Sequence, residues 1–253
     1  MTQNGMWIIG YGSLIFKPPP LVSFRVSGTI QGYIRRFWQS SSDHRGTPED
    51  PGRVATLVSL EDLKHHDAFN QSFRSYSISN ISGDKSDSNE YVQEHIQDVS
   101  QLENHDLKVW GVAYYIEPEN VDEVKSYLDI REQDGYTLHT IEFHVHSIPE
   151  KDKAAQKIIQ ALPRATDGDL YIKSHVYIGT IDNQSFVGPE EIEKTASVIR
   201  NSAGPSGDNF SYLHSLTTSV RDLHPDSISS DSYLEALTYL ASPRGSQLYS
   251  KGH

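Results

Sequence analysis

Apolar residues fall into short runs in the first part of the chain and into helical spacings in the last part. Trp7-Ile8-Ile9, ending at Gly10, reads as a short buried strand, and residues 54–58, 109–116 and 176–178 are further β-rich runs. Across 138–145 the polarity alternates, with Ile141, Phe143 and Val145 on one face and Glu142, His144 and His146 on the other. Helical spacing begins at Val121, Val124 and Leu128, introduced by Pro118 and Asn120 and stopped by Gly135. Pro189, Glu190 and Glu191 open a second helix with Ile192, Ala196 and Ile199 on one face and Gly204 at its end. Leu213, Leu216, Val220 and Leu223 mark a third helix, and Leu234 and Leu237 part of a fourth. Strands first and helices late predict an α+β fold rather than a doubly wound parallel sheet.

Two stretches break the pattern. Residues 61–107 hold ten acidic and three basic residues, a net of −7 out of −12 for the 253-residue chain. Polar residues dominate 72–104, so the segment reads as a surface excursion, partly mobile, between two strands. A weaker excursion covers 149–173, although Ala154, Ile158 and Leu162 have helical spacing within it. The expected organisation is one domain over 1–243 carrying both excursions, followed by a tail at 244–253.

Composition narrows the function. There is no run of 18 apolar residues, which excludes a membrane-spanning helix, and residues 6–16 make a poor signal peptide because no basic residue precedes them. The acidic balance argues against a nucleic-acid binder. With no cysteine there is no disulfide framework, thiolate nucleophile or zinc–thiolate site.

Two constellations carry candidate chemistry. Gly10-Tyr11-Gly12-Ser13-Leu14-Ile15 follows a buried strand, and its glycines allow a sharp turn with amide N–H groups free to face a ligand oxygen. The same residues also suit a tight strand exit with no ligand. The loop is neither a P-loop nor a nucleophile elbow. Glu132 stands near the end of the helix that begins at Asn120. There the helix dipole and Asp129 would raise its pKa and Arg131 would oppose them, giving either a general base or a solvated helix-end carboxylate. Glu123, nine residues earlier, points about 180° away and does not pair with it. Glu142, His144 and His146 share a strand face and read as polar surface rather than metal ligands. Arg35, Asp43-His44-Arg45-Gly46, Arg53 and Ala203-Gly204-Pro205-Ser206-Gly207 either make turns or bring charge and backbone to a ligand.

Taken in order, several blocks resemble the ChaC family of γ-glutamylcyclotransferases. They are Gly-Tyr-Gly-Ser-Leu-Ile at 10–15, Arg-Arg-Phe-Trp-Gln at 35–39, Asp-His-Arg-Gly at 43–46 and Pro-Gly-Arg-Val at 51–54. Further along come Trp-Gly-Val-Ala-Tyr at 110–114, Tyr-Leu-Asp-Ile-Arg-Glu at 127–132, Tyr-Ile-Gly-Thr at 177–180 and Gly-Pro-Ser-Gly at 204–207. The resemblance implies a small, partly closed β-barrel flanked by helices. It also implies cytoplasmic cleavage of glutathione to 5-oxoproline and cysteinylglycine, without metal or other cofactor. On it Glu132 is the catalytic glutamate, Gly10, Tyr11, Gly12, Ser13, Leu14 and Ile15 form the substrate-binding loop, and Glu123 has a supporting role. A non-catalytic binding module on the same fold, or a cyclotransferase for other γ-glutamyl compounds, is the alternative. Neither excursion is assigned any chemistry.

Overall fold

The computed structural model describes residues 5–77, 99–132, 135–149, 151–165, 168–223 and 231–243. Its centre is a closed five-stranded barrel built from β1 (Met6–Gly10), β2 (Val22–Gln31), β5 (Lys108–Ile116), β6 (Tyr136–Ser147) and β7 (Tyr171–Gly179). The order round the barrel is β1-β5-β2-β6-β7. All neighbours are antiparallel except the closing pair, where β1 meets β7 in parallel at Ile8 and His175. Between β2 and β5 in the chain, β3 (Tyr33–Ser41) and β4 (Gly52–Ser59) form a separate antiparallel pair.

Strand periodicity places a core on each side of the barrel wall. Trp7 and Ile9 of β1 join Val26, Ile30, Val109, Ala113, Phe143, Ile172, Val176 and Ile178, a cluster drawn from all five strands and therefore inside the barrel. Ile8 points the other way, with Val112, Tyr114, Ile116 and Tyr177, into an outer cluster shared with four helices. These are α3 (Val121–Arg131), α5 (Ile192–Asn201), α6 (Asn209–Leu223) and α7 (Ser232–Ala241), numbered with α1 (Leu60–His65), α2 (Asp67–Ser77) and α4 (Lys153–Gln160) in chain order. A strand buried on both faces reads as an unbroken apolar run, which is why residues 7–9 and 109–116 stand out in the sequence.

The α+β expectation matches this architecture, with three differences. β2 and β3 were not anticipated, because polar residues interrupt them. In β3 these include Arg35, Arg36 and Gln39, each buried and therefore indistinguishable by type from surface positions. In α4 the buried residues are Ala155 and Ile159, one position on from the expected stripe, and Ala154 is exposed. The acidic excursion does lie between two strands, β4 and β5, but its two ends are packed. Leu60, Leu63, Phe69, Phe73 and Val99 close a third cluster over Ile34, Trp38 and Val58 of the β3–β4 pair. Residues 78–98, the centre of that excursion, and the tail at 244–253 lie outside the described residues.

The packing of α1 yields a stability prediction. Leu63 has no exposed surface, so Leu63→Ala is expected to cost about 2–5 kcal/mol in denaturant unfolding. A change below about 1 kcal/mol would mean that the start of the insertion is not held against β3 and β4.

Candidate active site

Strand β1 delivers the glycine loop to the outer face of the barrel. Gly10 pairs with Val112, and a Cβ there would come within 2.8 Å of Leu14 Cβ and 3.3 Å of Val112 Cγ2, so only glycine lets the loop fold back this closely. The chain then makes a short 3₁₀ turn over Ser13–Ile15, with the Ile15 N–H donating to Gly12 O at 3.0 Å. Leu14 and Ile15 anchor the turn in the outer core. No acceptor among the described residues takes the N–H of Gly12, Ser13 or Leu14. From beneath, Arg35 holds the loop: its Nε donates to Tyr11 O at 2.9 Å, its Nη1 to Asp231 at 3.0 Å, and its Nη2 to Trp110 O.

Helix α3 brings the carboxylate. Val124 and Leu128 are buried in the outer core, and the helix stops at Glu132, whose N–H still donates to Leu128 O at 2.9 Å. Glu132 is thus the C-cap, one residue past the last helical turn. Its side chain is 16% exposed, with Oε1 3.3 Å from Arg131 Nε. Arg131 also reaches the loop, donating from Nη2 to Ser13 Oγ at 2.9 Å and from Nη1 to Lys17 O at 3.0 Å. The Glu132 carboxyl is held above the ordinary carboxylate range, chiefly by burial. Arg131 and then His44 pull it down, and Asp43 pushes it up. The direction agrees with the sequence reading but the cause does not. Asp129 is engaged elsewhere, accepting a 2.6 Å bond from the Tyr177 hydroxyl, and burial is the leading effect.

Loop and carboxylate share one cavity of about 380 Å³, a volume suited to a small molecule. Tyr11, Gly12, Ser13 and Leu14 line one side, and Tyr127, Arg131, Glu132 and Tyr177 another. His44, Arg45, Ser206 and Tyr212 are among the residues on the remaining walls. Gly10 and Ile15 do not line it and support the turn from behind. Glu123 is exposed and lies outside. Burial raises the phenols of Tyr11 and Tyr177 and pushes Tyr212 up to about 12, so all three stay neutral hydroxyls near pH 7. The Tyr11 hydroxyl donates to Tyr177 O at 2.9 Å, and the Ala55 N–H donates to the Tyr212 hydroxyl at 3.3 Å. His44 bridges two elements, with Nδ1 3.1 Å from Ser206 Oγ and Nε2 3.2 Å from Arg131 O.

A family model described as ChaC-like protein matches residues 6–242. The chain belongs to the ChaC family. It is 44% identical to the glutathione-specific γ-glutamylcyclotransferase of Saccharomyces cerevisiae over 222 residues, spanning 87% of this chain and 88% of the relative. The Schizosaccharomyces pombe protein of the same name is 32% identical, over 89% and 87% of the two chains. A crystal structure of the yeast cyclotransferase specific to glutathione superposes with a TM-score of 0.78 at 40% identity, covering 95% of this chain and 97% of that one. The barrel with flanking helices is thus a γ-glutamylcyclotransferase fold.

Within this ChaC-family cavity, sequence reasoning had singled out the loop and Glu132. Arg131 is anticipated only as a charge that lowers the Glu132 pKa and His44 only as part of a turn or charged segment, and Tyr177 and Tyr212 have no role in that reading. The first three lie inside the blocks that carried the resemblance, so their neighbourhood was marked although their places in the cavity were not. Tyr212 sits in a helix read only by its leucine spacing, and no sequence signal marks it. Of the expected polar surface on β6, Glu142 and His146 are exposed, while His144, paired with Thr29 of β2, is 8% exposed; His146 Nε2 lies 3.0 Å from Thr29 Oγ1. Among the described residues no group of three or more His, Asp or Glu is placed to hold a metal ion.

The loop's dependence on Arg35 is testable. Arg35→Met leaves Asp231 without its buried partner and Tyr11 O without its donor. A loss of about 3–5 kcal/mol is expected in thermal or denaturant unfolding. A loss under about 1 kcal/mol would show that the loop does not depend on this guanidinium.

Proposed function

We propose that this chain cleaves glutathione by intramolecular cyclotransfer, releasing 5-oxoproline and L-cysteinylglycine, with Glu132 as the general base and the cytoplasm as its setting. The observation that carries the reading is that a shielded carboxylate and a loop with three N–H groups unclaimed among the described residues line one cavity. Membership of the ChaC family and the names of its relatives support the choice of substrate.

The chemistry follows from the substrate. The glutamyl α-amine of glutathione can reach its own γ-carbonyl to close a five-membered lactam, but near pH 7 it is mostly an ammonium and cannot attack. Glu132 takes one proton, and the freed amine adds to the γ-carbonyl. The oxygen of the tetrahedral intermediate then carries the charge, which the N–H groups of Gly12, Ser13 and Leu14 are suited to accept. Collapse breaks the bond to the cysteinyl nitrogen. The attacking nitrogen gives up two protons in all, and both end on the departing nitrogen, which leaves as the ammonium of cysteinylglycine. Glu132 finishes as it began. Because nucleophile and electrophile belong to one molecule, orientation alone can supply on the order of 7–11 kcal/mol.

Glu132→Gln is expected to keep the fold and bind glutathione, yet lose about 10²–10⁴ of kcat in a 5-oxoproline assay. Near-normal turnover in that variant would remove Glu132 from the mechanism. A stability effect should accompany the loss. A carboxyl raised in the folded state costs stability as pH climbs from its unfolded pKa through its folded one, and that cost persists above. At neutral pH the Gln variant should therefore melt above wild type.

The pH profile gives an independent measure. Activity requires the deprotonated base, so the acid limb of kcat/KM should lie above the ordinary Glu value of about 4.3. Arg131 lowers the Glu132 pKa, so Arg131→Gln should move that limb to higher pH. An unmoved limb would show that Arg131 does not act on the base.

A further inference from the structure

We propose that Arg45 binds the glycine carboxylate of glutathione and thereby reads the end of the substrate that the cyclisation itself does not touch. This rests on the cyclotransferase reading above and extends it to recognition of the cysteinylglycine half.

The inference starts from how the buried guanidinium groups are neutralised. Among the described residues four arginines are buried, Arg35, Arg36, Arg45 and Arg53, at 2%, 4%, 7% and 8% exposure. Arg36 lies over the Tyr233 ring, 4.5 Å from its centroid, away from the cavity lining. Arg35 is paired with Asp231 at 3.0 Å. Arg53 takes Glu190 with two nitrogens, at 2.7 and 3.2 Å. Arg45 has no carboxylate within ion-pair distance among the described residues. Its Nη1 donates to the Asp208 carbonyl at 3.2 Å and its guanidinium lies over the Tyr212 ring, 5.3 Å from the centroid. The Asp208 carboxylate accepts from the Ser211 N–H at 2.7 Å and makes no ion pair with Arg45, although its charge favours the guanidinium from a distance. Of these four arginines only Arg45 lines the cavity. A guanidinium withdrawn from water without a counter-ion is costly, and burial lowers its pKa accordingly. An anionic group of the substrate removes that cost. Lys17 also lines the cavity, but it is exposed and hydrated.

Position selects between the two carboxylates of glutathione. The α-carboxylate shares its carbon with the reacting amine and must stay beside Glu132. The charges acting on Glu132 are those of Arg131, His44 and Asp43. Arg45 meets a different set of groups, the Tyr212 ring at 5.3 Å and the Asp208 carbonyl at 3.2 Å, whereas Glu132 Oε1 lies 3.3 Å from Arg131 Nε. The glycine carboxylate, at the far end of an extended cysteinylglycine about 7 Å long, is the group left free to meet Arg45.

The test is a two-by-two comparison of kcat/KM by 5-oxoproline release, using wild type and Arg45→Met with glutathione and with its glycine amide. Wild type should lose about 30-fold or more on amidation. Arg45→Met should lose a similar factor with glutathione and little further with the amide. If the two losses multiply, or if wild type handles the amide as well as glutathione, Arg45 does not read that carboxylate. Should Arg45→Met not fold, Arg45→Lys serves in its place. It keeps the charge but not the planar pair of donors, so its discrimination against the amide should shrink, and undiminished discrimination would count against the proposal. Absence of 5-oxoproline from wild type with glutathione would overturn the cyclotransferase reading as well. Turnover with multiplying losses would overturn only the role of Arg45.

Discussion

One guanidinium ties the two halves of the site together. Arg131 holds the loop through Ser13 Oγ and Lys17 O, while its Nε faces Glu132 Oε1 at 3.3 Å. The glycine loop leaves a strand and the carboxylate ends a helix, so their relative position rests on packing between distant parts of the chain. Leu14 and Ile15 from the loop and Val124 and Leu128 from α3 enter the same outer cluster. Packing of that kind sets position to within a rotamer. The Arg131 fork then orients the polar atoms, and its planar geometry suits two acceptors on one side and a carboxylate on another.

The electrostatics of the molecule are divided in the same manner. A chain of charge −12 does not draw an anionic tripeptide by its overall field. Its cavity is different, with Lys17, Arg45 and Arg131 on the walls against Asp43 and Glu132. More than half of the net negative charge belongs to residues 61–107, whose described residues supply none of those walls. The acidity of the whole and the basicity of the cavity are therefore compatible, and only the second bears on substrate.

What the sequence disclosed follows the same physical lines. Trp7-Ile8-Ile9 and residues 109–116 were legible because a barrel strand buried on both faces needs apolar residues at every position. β3 was not, because Arg35 and Gln39 are buried in it through specific partners that lie far off in the chain. Glu132 was legible as a carboxylate at a helix end, and its raised pKa was anticipated in direction. The cause was not, since burial depends on neighbours such as His44 and Tyr212 that no local spacing reveals. Arg35, Arg45 and Arg53 were equivalent in sequence, and only the positions of Asp231 and Glu190 separate them.

On the proposed mechanism, the raised pKa of Glu132 also bears on the proton transfer itself. With ordinary values, a glutamate near 4.3 must take a proton from an α-ammonium near 7.7–8.0, a mismatch of about 3.5 units or about 5 kcal/mol. A dry cavity works on both partners, raising the acid and lowering the ammonium, because each loses hydration in its charged form. Their mutual attraction works the other way and steadies the ion pair. Arg131 adds to this by favouring the carboxylate, so it orients the base at some expense in basicity. Burial outweighs it, as the net upward shift of Glu132 requires. Whatever mismatch remains is smaller than the roughly 7–11 kcal/mol available from holding amine and γ-carbonyl in attack geometry. On this balance orientation does most of the work, and the base needs only to be moderately strong and correctly placed.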